Sequence, residues 1–225
     1  MTDARRPEGL LLDAMGTLIG LRRSVGSTYS AFAAEYGLSV EAEAINAVFP
    51  QLFKAAPPLA FPGLEGAALL RAEQAWWVEL IAGCLQACGH EGPLPEGLGP
   101  ALFTHYATAE PWQVYPDVAD HLQRWSAAGL KLAVVSNFDQ RLHCLLEQLE
   151  LAPWLDAVVV SSAVGAAKPD PRPFQRALEL LQLSAAAAWH IGDSPEDEAG
   201  ARAAGLHCVL IERRRPASIP GGRNR

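Results

Sequence analysis

Little in this sequence points to a membrane, a disulfide scaffold or a nucleic acid. Half of its 225 residues are hydrophobic, yet no apolar run is uninterrupted for long. A membrane-spanning helix needs about 20 such residues. The opening segment MTDARRPEG carries charges and no apolar stretch, which reads as no secretory signal and a cytoplasmic chain. Cysteine is scarce: Cys84, Cys88, Cys144 and Cys208 are too few and too scattered for a disulfide framework. Cys84 and Cys88, with His90 nearby, resemble half of a zinc site, but no second ligand pair follows, and a helix face with two small buried thiols is the better reading. Basic charge is also short. The net charge is −7, and residues 212–225 alone hold five Arg against one Glu, leaving −11 on the rest. That balance argues against a nucleic-acid partner and makes the tail a solvated end. Neither GxGxxG nor a phosphate loop of the GxxxxGK type occurs, so no nucleotide cofactor is expected.

What is present is an alternation. Short apolar runs at Gly9–Leu12, Leu130–Val135, Ala157–Val160, Ala188–Ile191 and His207–Ile211 have the length and continuity of strands buried on both faces. Helix-length segments, Asp139–Glu150, Pro171–Leu183 and Asp197–Ala204, separate the last four. This order predicts an α/β fold, a Rossmann-like parallel sheet with helices on both faces. Residues 19–112 have another character. Aromatic and small apolar residues recur at helical spacing (Tyr29, Phe32, Ala33, Tyr36; Ala75, Trp76, Leu80, Cys84), broken at Pro57-Pro58, Pro62-Gly63 and His90–Pro100. The expectation is a core domain of residues 1–18 and 113–225 with an inserted α-helical cap domain, residues 19–112. A cap entering directly after the first strand is placed to act as a lid.

In such a sheet, ligands bind at the carboxyl ends of the strands. Strand one ends in Asp13, the second in Ser136-Asn137, the third is followed by Lys168, and the fourth ends in Gly192-Asp193 with Asp197 four further on. Carboxylates, a hydroxyl and a lysine converging there suit phosphoryl transfer with a hard cation. Mg²⁺ needs only one or two carboxylates beside a phosphate oxygen, and a lysine offsets the remaining negative charge.

The set DxxGT at 13–17, SN at 136–137, KPDP at 168–171 and GDSPED at 192–197 resembles, in order and spacing, the haloacid dehalogenase superfamily. The helical insert is similar to the cap of its phosphoglycolate-phosphatase-like branch. SNFDQRL, KPDPRPF and the Trp76-Trp77 pair resemble a group of haloacid-dehalogenase-like-domain proteins with helical caps. The resemblance implies Asp13 as a nucleophile that becomes an aspartyl phosphate, with Ser136 and Lys168 as catalytic partners. It implies Asn137, Gly16 and Thr17 at the substrate. Mg²⁺ would be held by Asp13, the Met15 main-chain carbonyl and Asp193, with Asp197 acting through water or by orienting its neighbours. The implied partner is a small phosphorylated metabolite, with no nucleic acid and no membrane; the oligomeric state stays open.

Met15 departs from the pattern, since phosphatases of this kind carry a second Asp there as general acid and base. Such catalysis is worth about 10² to 10⁴ in rate, or roughly 2.7 to 5.5 kcal/mol. Three readings follow: a phosphatase for esters with activated leaving groups, a haloacid dehalogenase, or a phosphate- and metal-binding regulatory protein with little turnover. Elsewhere, strand alternation turns His190 into the sheet rather than the site. Trp76 and Trp77, about 100° apart on a helix, suggest one core residue and at most one facing the site. Arg22 and Arg23 read as hinge charges or contacts to an acidic substrate, and Asp139 as a helix cap beside Arg141.

Overall fold

The computed structural model describes residues 6–213. In chain order the elements are β1 Gly9–Leu12, β2 Ile19–Leu21, α1 Val25–Glu35, α2 Ala42–Ala55, α3 Gly66–Ala87, α4 Leu98–His105, β3 Trp112–Val114, α5 Val118–Ala127, β4 Lys131–Ser136, α6 Arg141–Gln148, β5 Ala157–Val160, α7 Ser161–Val164, α8 Arg172–Leu181, β6 Ala188–Gly192, α9 Pro195–Ala203 and β7 His207–Leu210. The main sheet has five strands in the order β5-β4-β1-β6-β7, all parallel. β1 is central, so Asp13 leaves the middle of the sheet.

Period-two alternation divides the strand residues between two cores. Leu10, Leu12, Leu132 and Val134 face the side covered by α5 and α6. Leu11, Ala133 and Val135 face α8 and α9, where Phe174 and Ala177 close the layer. Leu11 is fully buried, and truncating such a residue to Ala costs about 2–5 kcal/mol. Continuous apolar strands are therefore a consequence of helices on both faces.

The four helices α1–α4 gather around a separate cluster that includes Tyr29, Ile45, Ile81, Leu85, Leu98 and Leu102. Three features lay outside the periodicity. β2 and β3 pair antiparallel at the two ends of the helical segment, with Ile19 opposite Val114 and Leu21 opposite Trp112, so residues 19–21 and 112 are strand rather than helix. Helix α5 was missed. Helix α9 starts before Asp197, because Ser194 caps it and Pro195 occupies its first turn. No helix among the described residues is long and apolar enough to cross a membrane. Of the basic tail, residues 214–225 lie outside the described residues, whereas Arg213 lies within them.

Candidate active site

Asp13 follows β1 directly, its N–H bonded to the Ile191 carbonyl at 2.9 Å. The chain then turns sharply: the Ala14 carbonyl accepts the N–H groups of Thr17, Leu18 and Ile19 at 3.2, 2.8 and 3.0 Å. Gly16 adopts φ +89°, and a Cβ there would lie 2.1 Å from Asp193 Oδ2. Only glycine fits, because the Asp193 carboxylate rests on that backbone. Gly192 is similarly constrained by the Asp197 carboxyl carbon, 2.3 Å from where its Cβ would be.

Lys168, from the loop before α8, is the pivot. Its ammonium donates to Asp13 Oδ1 at 2.5 Å, to Asp197 Oδ1 at 2.6 Å and to the Val135 carbonyl at 3.1 Å. Ser136, at the end of β4, donates to the same Asp13 Oδ1 at 3.2 Å. Asp13 Oδ2 has no hydrogen-bond partner among the described residues, so one oxygen is held and the other remains available for reaction. Burial alone would lower the Lys168 pKa, but the charges of Asp13 and Asp197 outweigh it and keep the ammonium protonated. Burial pushes the Asp13 carboxyl up, against the pull of Lys168.

Of the two parts expected of Asp197, acting through water or orienting its neighbours, its contacts fit the second. Its Oδ1 takes Lys168 and His190 Nε2, the latter at 2.9 Å. Oδ2 takes the Ser194 hydroxyl at 2.6 Å and the N–H groups of Ser194 and Asp193 at 3.1 and 3.3 Å. Burial opposes ionisation there, but the His190 and Lys168 contacts prevail and hold the carboxyl well below the usual range. With both oxygens occupied by protein donors, Asp197 serves as an anchor for Lys168 and for the start of α9. It closes a capping box with Ser194.

The carboxylates Asp13, Asp193 and Asp197 each place an oxygen within 4.8 Å of the others. Against three acidic groups the site holds one lysine. Partial desolvation, followed by the charges of Asp13 and Asp197, pushes Asp193 up to about 6. Asp193 is exposed, and its one described side-chain donor is the Thr17 hydroxyl at 3.5 Å. The Met15 carbonyl likewise has no described hydrogen bond. Uncompensated oxygens from Asp13, Asp193 and Met15 are a donor set that suits a hard divalent cation.

The three residues expected at the substrate have other contacts as well. The Asn137 side chain is spent on the Lys168 main chain, donating to its carbonyl at 3.0 Å and accepting its N–H at 2.7 Å. Thr17 is buried with its hydroxyl toward Asp193, and Gly16 supports the same carboxylate. They shape the site without facing a ligand through their side chains. Met15 is 41 % exposed at its edge. His190 is fully buried, in edge contact with Phe174 and bonded to Asp197, so the sheet-packing expectation missed a link to the site.

A second polar cluster, unseen in the sequence, joins the helical segment to the core beyond Asn137. Asp139 does not cap α6 from the N-cap position, which Gln140 occupies. Its Oδ1 still accepts the Arg141 main-chain N–H at the start of α6 at 3.1 Å, and its Oδ2 accepts Arg141 Nη2 at 2.6 Å and Trp77 Nε1 of α3 at 2.7 Å. Glu73 of α3 accepts the Gln140 N–H at 3.2 Å. Both Trp76 and Trp77 are half-buried, so neither is the core residue expected; Trp76 bonds the Pro57 carbonyl at 2.9 Å. Arg22 and Arg23 are exposed.

A carboxylate held by a lysine at the carboxyl edge of a parallel α/β sheet fits a hydrolase site. The chain belongs to the haloacid dehalogenase-like hydrolases: the family profile matches residues 7–205. It is 38% identical over 204 residues to haloacid dehalogenase-like hydrolase domain-containing protein 3 of Bos taurus, covering 90% of this chain and 80% of that one. A plasmid phosphoglycolate phosphatase of Cupriavidus necator is 36% identical over 110 residues, 48% of this chain and 47% of the phosphatase. Among solved structures, a dehalogenase superposes with TM-score 0.67 at 25% identity, covering 97% of this chain and 90% of its own.

Proposed function

We propose that the protein is a Mg²⁺-dependent phosphatase that forms an aspartyl phosphate on Asp13 and acts on small phosphorylated metabolites with good leaving groups. The observation that carries this reading is the split of the Asp13 carboxylate, with Oδ1 pinned by Lys168 and Ser136 and Oδ2 free beside the uncompensated Asp193. Asp13 Oδ2 attacks phosphorus, the P–O bond to the leaving group breaks, and the electron pair leaves on that oxygen; water then hydrolyses the aspartyl phosphate. Asp13, Asp193 and the Met15 carbonyl would hold Mg²⁺, which supplies charge neutralisation to the phosphoryl oxygens when bound. Lys168 opposes the effect of burial on Asp13 and orients it, and Asp197 with Ser194 keeps Lys168 in place. Ser136 and the Asn137 main-chain N–H offer hydrogen bonds to a phosphoryl oxygen.

Met15 sets the leaving-group requirement. Its side chain supplies no proton, so an alkyl ester must leave as a poor anion while an acyl or aryl phosphate leaves readily. Phosphate and halide release, each with and without Mg²⁺, separates this reading from the dehalogenase that the structural likeness also brings to mind. Full activity after exhaustive chelation, or halide release without phosphate release, would overturn it. A sharper test is Met15→Asp, expected to raise kcat/KM for alkyl phosphates by up to about 10² and for aryl phosphates by much less. An unchanged alkyl-to-aryl ratio in a folded variant that still binds Mg²⁺ would show that Met15 does more than omit an acid.

A further inference from the structure

The last strand link of the sheet is the Ile211 N–H, bonded to the Gly192 carbonyl at 2.9 Å. Two residues later the chain sends Arg213 back across the molecule to the turn that follows the nucleophile. Its Nε and Nη2 both donate to the Thr17 carbonyl, at 3.1 and 2.8 Å, and Nη1 reaches Asp117 Oδ1 at 2.5 Å. The guanidinium lies over the Tyr115 ring, 4.7 Å from its centroid, while the Tyr115 N–H bonds the Leu18 carbonyl at 3.1 Å. One side chain therefore joins the nucleophile turn, the end of β3 and the start of α5.

The apolar packing under this turn is incomplete. A cavity of about 200 Å³ lies there, lined by Leu12, Leu18, Val118, Trp125, Ile191 and Arg213 among others. Close packing normally locks a core loop; where this cleft takes the place of packing, the Arg213 bonds supply a contact to the turn. The forked, planar donor set of an arginine suits bridging such a space, and a lysine cannot reproduce it. What the turn carries is the site itself. Thr17 directs its hydroxyl to Asp193, Gly16 forms the floor under that carboxylate, and Met15 precedes them in the same turn.

We infer that Arg213 is a positioning residue of the active site: through the Thr17 carbonyl it holds the Met15–Thr17 turn in register with Asp193, so that the start of the basic tail controls the geometry of the cation site. The cation part rests on the proposed Mg²⁺ dependence; the clamp on the turn does not.

The test uses full-length Arg213→Ala and Arg213→Lys, with Asp117→Asn as a variant that keeps the bonds to Thr17. In metal-free protein, hydrogen exchange at the 16–19 amides is expected to quicken at least about tenfold in Arg213→Ala, with the amides of β1 and β4 unchanged. With Mg²⁺ alone as probe, its half-saturating concentration should rise about tenfold, within the 10- to 100-fold usual for loss of a supporting contact. Arg213→Lys should fall between, since it retains one donor, and Asp117→Asn should stay near wild type. Unchanged exchange at 16–19, or exchange rising equally across the sheet, would overturn the inference. Were Arg213→Ala not to fold, the comparison of Arg213→Lys with Asp117→Asn decides it by the same criteria. A wild type that binds no Mg²⁺ while the 16–19 exchange responds as expected would sink the metal reading and keep the clamp.

Discussion

Two buried ionic clusters stand close together along the chain after β4, and they are built to opposite ends. At the Asp139–Arg141 pair the charges are satisfied: Asp139 receives two guanidinium bonds and an indole N–H, and the guanidinium lies 3.8 Å from the Phe103 centroid and 5.2 Å from that of Trp77. Around Lys168 they are not. All three ammonium protons are committed to protein oxygens, yet Asp193 and one oxygen of Asp13 remain without a cation. A balanced cluster joins two parts of a fold; an unbalanced one is poised for a ligand that completes the charge. The Arg141 cluster joins α3 to the loop beyond β4, and the Lys168 cluster is the candidate site.

Substitutions that exchange the two roles should separate them. The largest effect expected is from Asp13→Asn, which should lower turnover by at least about 10⁴, as loss of a covalent nucleophile does, while the thermal midpoint stays near wild type. Retained turnover would mean that the reacting carboxylate lies elsewhere. Arg141→Leu should do the reverse. Stranding the fully buried Asp139 is expected to cost about 3–5 kcal/mol of stability by denaturant unfolding, and a loss below about 1 kcal/mol would show the second cluster to be expendable. Smaller again is Trp77→Phe, which removes one donor to Asp139 at a half-exposed position. It should cost about 1 kcal/mol, or roughly 2–4 °C in Tm for a chain of this size, and no change would place the hold of α3 on Glu73 instead.

The subtlest is a pH effect. In metal-free protein the folded-state value of Asp193 is raised from 3.8 to about 6, so the fold binds a proton there more tightly than the unfolded chain does. The contribution is present below about 4 and lost as pH rises through about 6. Asp193→Asn should therefore gain stability relative to wild type between these values, and Mg²⁺ should raise the wild-type Tm above pH 6 while leaving the variant little changed. Parallel Tm-against-pH curves for the two proteins would refute the imbalance around Lys168.

The Lys168 cluster was legible because each member ends or follows an apolar run, and a polar residue at such a point is set by the strand's own length. Asp13, Ser136, Lys168 and Asp193 could be named on that basis. Their division of labour could not. For Asn137 the sequence does not separate main chain from side chain, and the structure commits the side chain to bracketing Lys168; for Asp197 it leaves open a role through water or in orienting neighbours, and both carboxylate oxygens turn out to accept protein donors. The Arg141 cluster left almost no trace, because Trp77 and Asp139 lie 62 residues apart and no periodicity relates them. A tryptophan followed by another on one helix reads as packing, and its indole N–H finds a partner only when α3 meets the core.

By itself, the sequence determined the layering: buried strands need apolar side chains on both faces, helices need a stripe, and chain order then dictates a parallel sheet with its polar residues at one edge. Tertiary structure alone decided which polar groups remain free. Hydrogen bonding is saturable, and whether a carboxylate oxygen is already taken depends on donors brought in from anywhere in the chain. Thr17 and Arg213, 196 residues apart, show how far that reach extends. The single lysine available to Asp13 and its acidic neighbours is the same kind of fact, for charge balance is a property of the assembled neighbourhood and not of any segment within it.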